Sequence, residues 1–275
     1  MTTSRLKKVL KKRSRNRFQA QFLLWIAALL AALYLFTFRE IPVLMYHFVG
    51  TASEARENSL VVSAETFDKQ LSWLRKWGYR IYSLDEYYVL KTGKQFFFQK
   101  GVVLTFDDGN QGFLNQALSI LENYKAPAAN FLVANSLLKK ENGSMSVEEV
   151  RELSKNPLIT LGAHTTHHLE LIDLSDAVLR EEIVDCRQNL EKMLGKSVLY
   201  FAYPGGYFDE RALRTVQETG YRLAFSTSWK RLKKRAESLH TLIRIKVAER
   251  DSMPIRFWYK VSGFYSLLKR FQHAF

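Results

Sequence analysis

One cysteine in 275 residues, Cys186, excludes an intramolecular disulfide. That fits a cytosolic chain or an exported one that relies on its core alone, so cysteine usage leaves the compartment open. Acidic residues are missing from the first 20 positions, where Arg5, Lys7, Lys8, Lys11, Lys12, Arg13, Arg15 and Arg17 supply eight positive charges. The formal net charge of +14 is therefore local: beyond that arm, 33 basic residues face 27 acidic ones, which argues against nucleic acid as the partner. Charge is in turn missing from residues 22–38, where Thr37 and the hydroxyl of Tyr34 are the only polar side-chain groups. Ala20 and Gln21 extend the run toward the ~20 residues that a bilayer-spanning helix needs. No small-residue cleavage site follows; the run ends Tyr34-Leu35-Phe36-Thr37-Phe38 before Arg39, so an uncleaved anchor is expected rather than a signal peptide. The basic arm then sets the orientation, with residues 1–21 in the cytoplasm and the chain beyond the 22–38 anchor outside the cell membrane, crossed once.

The remainder has the means to fold. Apolar residues make up 47% of the chain and aromatics 13%, enough for a large core. Strands are expected at 41–47, at the run from Val102 to Phe106, and at 129–133, 158–163, 199–203, 221–225 and 242–247. Helices intervene. Ser63 is placed to cap one carrying Phe67, Leu71 and Leu74, with Gly78 at its end. Ser83 with Glu86 and Ser146 with Glu149 form capping boxes for two more, and Ser175 opens a long helix whose apolar face includes Cys186 as an inert core residue. Residues 51–58 read as polar loop, and Phe96-Phe97-Phe98 in the connector as core packing. Strands alternating with helices predict a parallel sheet, and about seven of them without a composition break predict an α/β barrel, closed or nearly so.

Barrel enzymes work at the C-terminal ends of their strands. His47, Asp107, Asp108, His164 and the Pro204-Gly205-Gly206 loop all fall at such ends. Asp-Asp-Gly is also a common strand-ending turn, so Asp107-Asp108-Gly109 alone decides little. A second signal adds weight: three of the six histidines lie within His164-Thr165-Thr166-His167-His168, just past a strand. A helical turn there would bring His164 and His168 together, and two imidazoles with a carboxylate suit zinc and related divalent ions. With Asp108 the set leaves positions open for water and substrate, and metal-assisted hydrolysis follows. Asp107, free of the metal, is the candidate general base, with a histidine across the pocket as acid. His167 reads as a surface neighbour.

Thr105-Phe106-Asp107-Asp108-Gly109 and His164-Thr165-Thr166-His167-His168 resemble the first two motifs of the polysaccharide deacetylases, the carbohydrate esterases of family 4 with a NodB-type domain; Phe201-Ala202-Tyr203-Pro204-Gly205-Gly206 resembles the third. The resemblance covers roughly residues 41–250. It implies a distorted (β/α)7 barrel that removes N-acetyl groups from N-acetylglucosamine-type sugars with a divalent metal, zinc first and cobalt or nickel next. Asp107 matches the family's base, and Asp108, His164 and His168 match its metal ligands. Gly205 matches the backbone N–H that stabilises the oxyanion, with Tyr203 beside it at the substrate. Ala202 stands where an arginine usually braces the base, Gly205 replaces a usual tyrosine, and of the later motifs only Ser228-Trp229 and Leu239-His240 remain as fragments. These departures are similar to the branch that deacetylates poly-N-acetylglucosamine exopolysaccharide. In that branch the acid comes from the opening strand, here His47 in Leu44-Met45-Tyr46-His47, with His240 as the alternative.

The resemblance thus implies a deacetylase of an N-acetylated cell-envelope polysaccharide, with peptidoglycan or wall-polymer linkage sugars as the rival substrate and an inactive glycan-binding or assembly protein as the rival of another class. No obligate protein partner is inferred. The layout expected is a basic arm (1–21), an anchor (22–38), a deacetylase domain (39–250) and a basic aromatic segment (251–275). The run Lys230-Arg231-Leu232-Lys233-Lys234-Arg235 reads as a solvated loop, or as a contact for anionic polymer or lipid headgroups. The C-terminal segment, with Phe257, Trp258, Tyr259, Phe264 and Tyr265 among Arg256, Lys260, Lys269 and Arg270, suits either an interfacial helix on the membrane or a helix closing the barrel.

Overall fold

The computed structural model describes residues 18–28, 40–93, 100–141, 143–228 and 238–274. Residues 1–17 of the basic arm, 29–38 of the anchor, Arg39, Phe96-Phe97-Phe98 and the basic run at 230–235 lie outside the described residues. Residues 18–28 are helical, with Phe22, Leu23, Leu24, Trp25 and Ile26 exposed. Among the described residues no helix is long and apolar enough to cross a membrane.

Ten strands follow among the described residues: β1 (Val43–Tyr46), β2 (Phe48–Gly50), β3 (Val61–Ser63), β4 (Arg80–Tyr82), β5 (Gly101–Phe106), β6 (Ala128–Leu132), β7 (Ile159–Ala163), β8 (Tyr200–Ala202), β9 (Leu223–Ser226) and β10 (Leu242–Lys246). Seven of them close a ring of parallel pairs in the order β1-β10-β9-β8-β7-β6-β5, with β5 pairing back onto β1 through Val103 to Phe106. The barrel is thus the closed α/β form expected. β4 adds to the start of β5, and β2 and β3 form a small parallel pair beside the rim.

Side-chain alternation sorts the core into two layers. Val43, Val103, Ala129, Phe131, Ala202, Phe225 and Leu242 pack inside the ring. Leu44, Leu104, Phe106, Leu132, Ala163, Phe201, Ala224 and Ile245 face the helices, where Phe67, Leu71, Leu74, Ile183, Cys186 and Leu190 cover them. Cys186 is inert as expected: burial pushes its thiol pKa far up.

The capping signals hold. Ser63 accepts from Thr66 N–H ahead of the Ala64–Lys76 helix, and reciprocal boxes at Ser83/Glu86 and Ser146/Glu149 open the Leu84–Thr92 and Val147–Leu153 helices. Residues 51–58, expected as loop, contain the Ala52–Glu57 helix instead. Thr51 and Glu54 form a third capping box, which offsets the cost of nucleating so short a helix. After β10 the chain ends in two helices, Pro254–Val261 and Phe264–Ala274.

Candidate active site

Strand parity decides which residues reach the barrel interior. On β5 the inward sequence is Val103, Thr105, Asp107; on β10 it is Leu242, Arg244; on β1, Val43 and Met45 lead to His47. On β7 the outward residues Ile159, Leu161 and Ala163 leave Gly162 and His164 inward. Gly162 is required there, since a Cβ would sit 2.5 Å from the ring of Phe131. That ring in turn supports Arg244, whose Cζ lies 5.3 Å from its centroid.

Asp107 is buried and held bidentately: Arg244 Nη1 donates to Oδ1 at 2.6 Å and Nη2 to Oδ2 at 2.7 Å. Burial alone would raise the Asp107 pKa. Burial is the largest single influence, but the Arg244 charge, His164, the two Arg244 hydrogen bonds and His47 together outweigh it and bring the value from 3.8 down to about 2. The base candidate is therefore a carboxylate at any working pH. A carboxylate has about four lone-pair sites, so the bidentate clamp, which uses two, leaves Asp107 able to accept a further proton donor.

Asp108 breaks the alternation. Its φ of 74° and the 65° of Gly109 are left-handed, a region Asp tolerates better than most residues, and the turn brings both neighbouring carboxylates to one site. Asn110 locks it, donating from Nδ2 to the His47 carbonyl at 2.8 Å and accepting from Phe113 N–H. Asp108 Oδ1 lies 3.4 Å from His168 Nε2 and 3.7 Å from His164 Nε2.

The two histidines meet without the helical turn expected between them. Thr165 and His168 have φ of 66° and 60°, and Thr165 Oγ1 caps His168 N–H at 2.9 Å. Their rings lie 4.9 Å apart. His164 is buried and its Nδ1 lies 2.8 Å from the Ala202 carbonyl oxygen, which can only accept, so Nδ1 carries the proton and Nε2 turns its lone pair to Asp108. Burial holds the His164 pKa below its ordinary value, in the neutral form that ligates metals. His167 is more than a surface neighbour: its Nδ1 and backbone N–H reach the fully buried carboxylate of Glu182, at 2.6 and 3.0 Å.

Asp108, His164 and His168 each offer a ligand atom within 4.8 Å of the others. Asp108 Oδ1 is buried with no hydrogen-bond partner, an arrangement that costs free energy unless a cation satisfies it. The set fits a divalent metal.

Not every expected residue arrives. His47 does: it is half-buried in the field of Asp107, Asp108, Arg244 and Lys246, and burial lowers its pKa. His240 does not. It precedes β10, at the strand's N-terminal end, and its Nε2 is bound at 2.8 Å to the carbonyl of Tyr221, just before β9. Tyr203 is also withdrawn from the site. Because Ala202 faces inward, Tyr203 faces the helices, fully buried, stacked on Phe208 at 4.4 Å and bonded through its hydroxyl to the His240 carbonyl. Gly205 lies on the rim at φ 60°; the turn's own bonds use the amides of Gly206 and Tyr207 rather than that of Gly205. Sequence reasoning missed Arg244, Glu182 and Asn110. The arginine absent at Ala202 is supplied from another strand, and the signal for it was a guanidinium inside the apolar strand Leu242-Ile243-Arg244-Ile245.

A closed parallel barrel carrying an ionised, arginine-clamped aspartate beside an Asp-His-His cluster that could hold a metal ion is an arrangement suited to hydrolysis. The comparisons make this specific. The family profile described as polysaccharide deacetylase matches residues 97–224. Poly-beta-1,6-N-acetyl-D-glucosamine N-deacetylase of Staphylococcus aureus is 27% identical over 192 residues, 66% of this chain and 65% of that protein. YxkH of Bacillus subtilis, named for the same family, is 27% identical over 76% of this chain and 72% of its own length. Among solved structures, the Streptococcus pyogenes deacetylase PplD in complex with acetate superposes with a TM-score of 0.70 at 26% identity, covering 80% of this chain and 97% of that one. IcaB from Ammonifex degensii gives 0.67 at 26% identity, with the same coverage. The chain carries a polysaccharide deacetylase domain and is an amide hydrolase.

Proposed function

We propose that this chain is a metal-dependent N-deacetylase of an N-acetylglucosamine-type cell-envelope polysaccharide, close to poly-N-acetylglucosamine in kind. The observation that carries it is the pairing, on one rim, of a clamped Asp107 with the Asp108, His164 and His168 cluster. Likeness to the staphylococcal enzyme supports the substrate.

A divalent ion, zinc first with cobalt or nickel as alternatives, would be held by Asp108, His164 and His168 and would polarise the acetyl carbonyl and acidify a water. Asp107 accepts the proton of the attacking water. Its low pKa makes it a weak base, and the Arg244 clamp fixes the direction in which it can accept. The Gly205 N–H is assigned to the oxyanion and His47 to protonation of the leaving amine, from the neighbouring strand. Release of acetate leaves a free amine, which makes the polymer more cationic.

The layout proposed is a cytoplasmic arm at 1–21, a single membrane anchor at 22–38 and a catalytic domain at 39–250 outside the cell. Its support is the charge-free run behind a basic arm. The test is acetate release from N-acetylglucosamine oligomers by the purified chain loaded with each metal. Retained metal with turnover lost in Asp107→Asn supports the assignment; full activity in that variant overturns it.

A further inference from the structure

The helix Pro254–Val261 is amphipathic in the wrong sense for a protein facing only water. Its inner face carries Phe257, Lys260 and Val261, with Phe257 packed on Trp73 and Trp77 and the Lys260 ammonium bonded to Asp251 at 2.6 Å. Its outer face carries Ile255, Trp258 and Tyr259, at i, i+3 and i+4, with Ile255 64% and Trp258 38% exposed. Met253 and Leu268 extend this apolar surface, and Trp258 against Phe264 (6.2 Å) and Tyr259 against Tyr265 (5.6 Å) join the two C-terminal helices into one platform. A contiguous exposed patch of this kind marks a contact surface.

Its surroundings indicate what covers it. Residues 252–275 contain no acid, and Arg256 and Lys269 add positive charge beside the exposed aromatics. Such a surface repels a second copy of itself across a two-fold axis and attracts an anionic one. Trp and Tyr flanked by basic side chains are the composition of membrane interfaces. The position agrees: Arg270 Nη2 pairs with Glu40 Oε1 at 2.9 Å, so the Phe264–Ala274 helix sits where the chain enters β1, directly after the charge-free run at 22–38.

We propose that the Pro254–Val261 and Phe264–Ala274 helices form a platform that seats the barrel on an anionic lipid surface. This rests on the anchor reading of residues 22–38. Glu40 precedes the N-terminal end of β1, whereas the catalytic cluster lies at the C-terminal ends of the strands. The platform therefore directs the site away from the bilayer, toward polymer already outside it.

The full chain, in a Cys186→Ser background, is reconstituted into nanodiscs of phosphatidylglycerol and phosphatidylcholine with a nitroxide at Ile255→Cys or, as control, at the exposed Glu57→Cys of the catalytic end. The expected result is collision with oxygen favoured several-fold over a water-soluble nickel chelate at position 255, and the reverse at position 57. Incorporated chain whose position-255 label meets nickel as freely as position 57 overturns the platform and leaves the anchor standing. Spin–spin broadening with both reagents excluded reports a second copy and also overturns it. Chain that fails to enter the discs overturns both readings.

Discussion

Arg244→Met removes the cation that holds Asp107 ionised inside the barrel, and its consequences can be worked out from the geometry. Both side chains are buried, and the pair is closed by two charge-assisted bonds of 2.6 and 2.7 Å. The descent of the Asp107 pKa from 3.8 to about 2 corresponds to a contribution on the order of 2 kcal/mol at neutral pH. Breaking such a pair costs more, about 3–5 kcal/mol, because the carboxylate is left buried without its partner. At ~2–4 °C per kcal/mol for a domain this size, melting should fall by on the order of 10 °C. The sign with pH is diagnostic. In the wild type the folded pKa lies below the unfolded one, so the contribution is present above about pH 4 and is lost as the pH falls toward 2. In Arg244→Met burial dominates and raises the folded pKa, so the deficit should be large at pH 7 and shrink as the carboxyl becomes protonated on acidification. Asp107→Asn combined with Arg244→Met should recover most of the stability, since no charge is then stranded. Calorimetry of the three variants from pH 4 to pH 8 checks this. A deficit that does not vary with pH, or a double variant as unstable as the single, would refute the account of the clamp.

Three further outcomes are expected. His47→Gln should lower kcat by about 100-fold or more, whereas His240→Gln, bound to Tyr221 at the other end of the barrel, should keep kcat near wild type; acetate release on one oligomer compares them. Glu182→Gln should weaken metal binding by ~10-fold, because the buried carboxylate holds the His167 amide and ring between the two ligand histidines. Competition against a chelator measures this, with metal-free melting as the control for folding. Gly206→Ala should destabilise by at least ~1–3 kcal/mol in thermal unfolding: at φ +78° its new Cβ would lie 2.2 Å from Thr227 Oγ1 and 2.5 Å from the Thr227 backbone nitrogen.

Local chemistry was legible where the chain carries it within a few residues. The boxes at Ser83/Glu86 and Ser146/Glu149 named their helices, and a third at Thr51/Glu54 was equally readable but was hidden by polar composition. Period-two alternation also carried information that was not used: it sends Tyr203 outward as soon as Ala202 is known to face in. Arg244 was out of reach for another reason. It meets Asp107 across 137 positions of sequence, through the pairing of β1 with both β10 and β5, and only ring closure makes those strands neighbours. Glu182 was hidden in the same way, as one acid among several on a helix whose buried face depends on what packs there. The convergence of Asp108, His164 and His168 was foreseen, but the backbone turns that achieve it, left-handed at Asp108, Thr165 and His168, were not.

The central claim is that this rim hydrolyses N-acetyl groups with Asp107 as base beside a metal held by Asp108, His164 and His168. The most direct measurement is acetate released from N-acetylglucosamine oligomers by the metal-loaded full chain, set against the chelated chain and against Asp107→Asn that still binds metal. The account predicts release from the loaded chain alone. Undiminished release from Asp107→Asn, or none from the loaded wild type on any N-acetylated glycan, would contradict it.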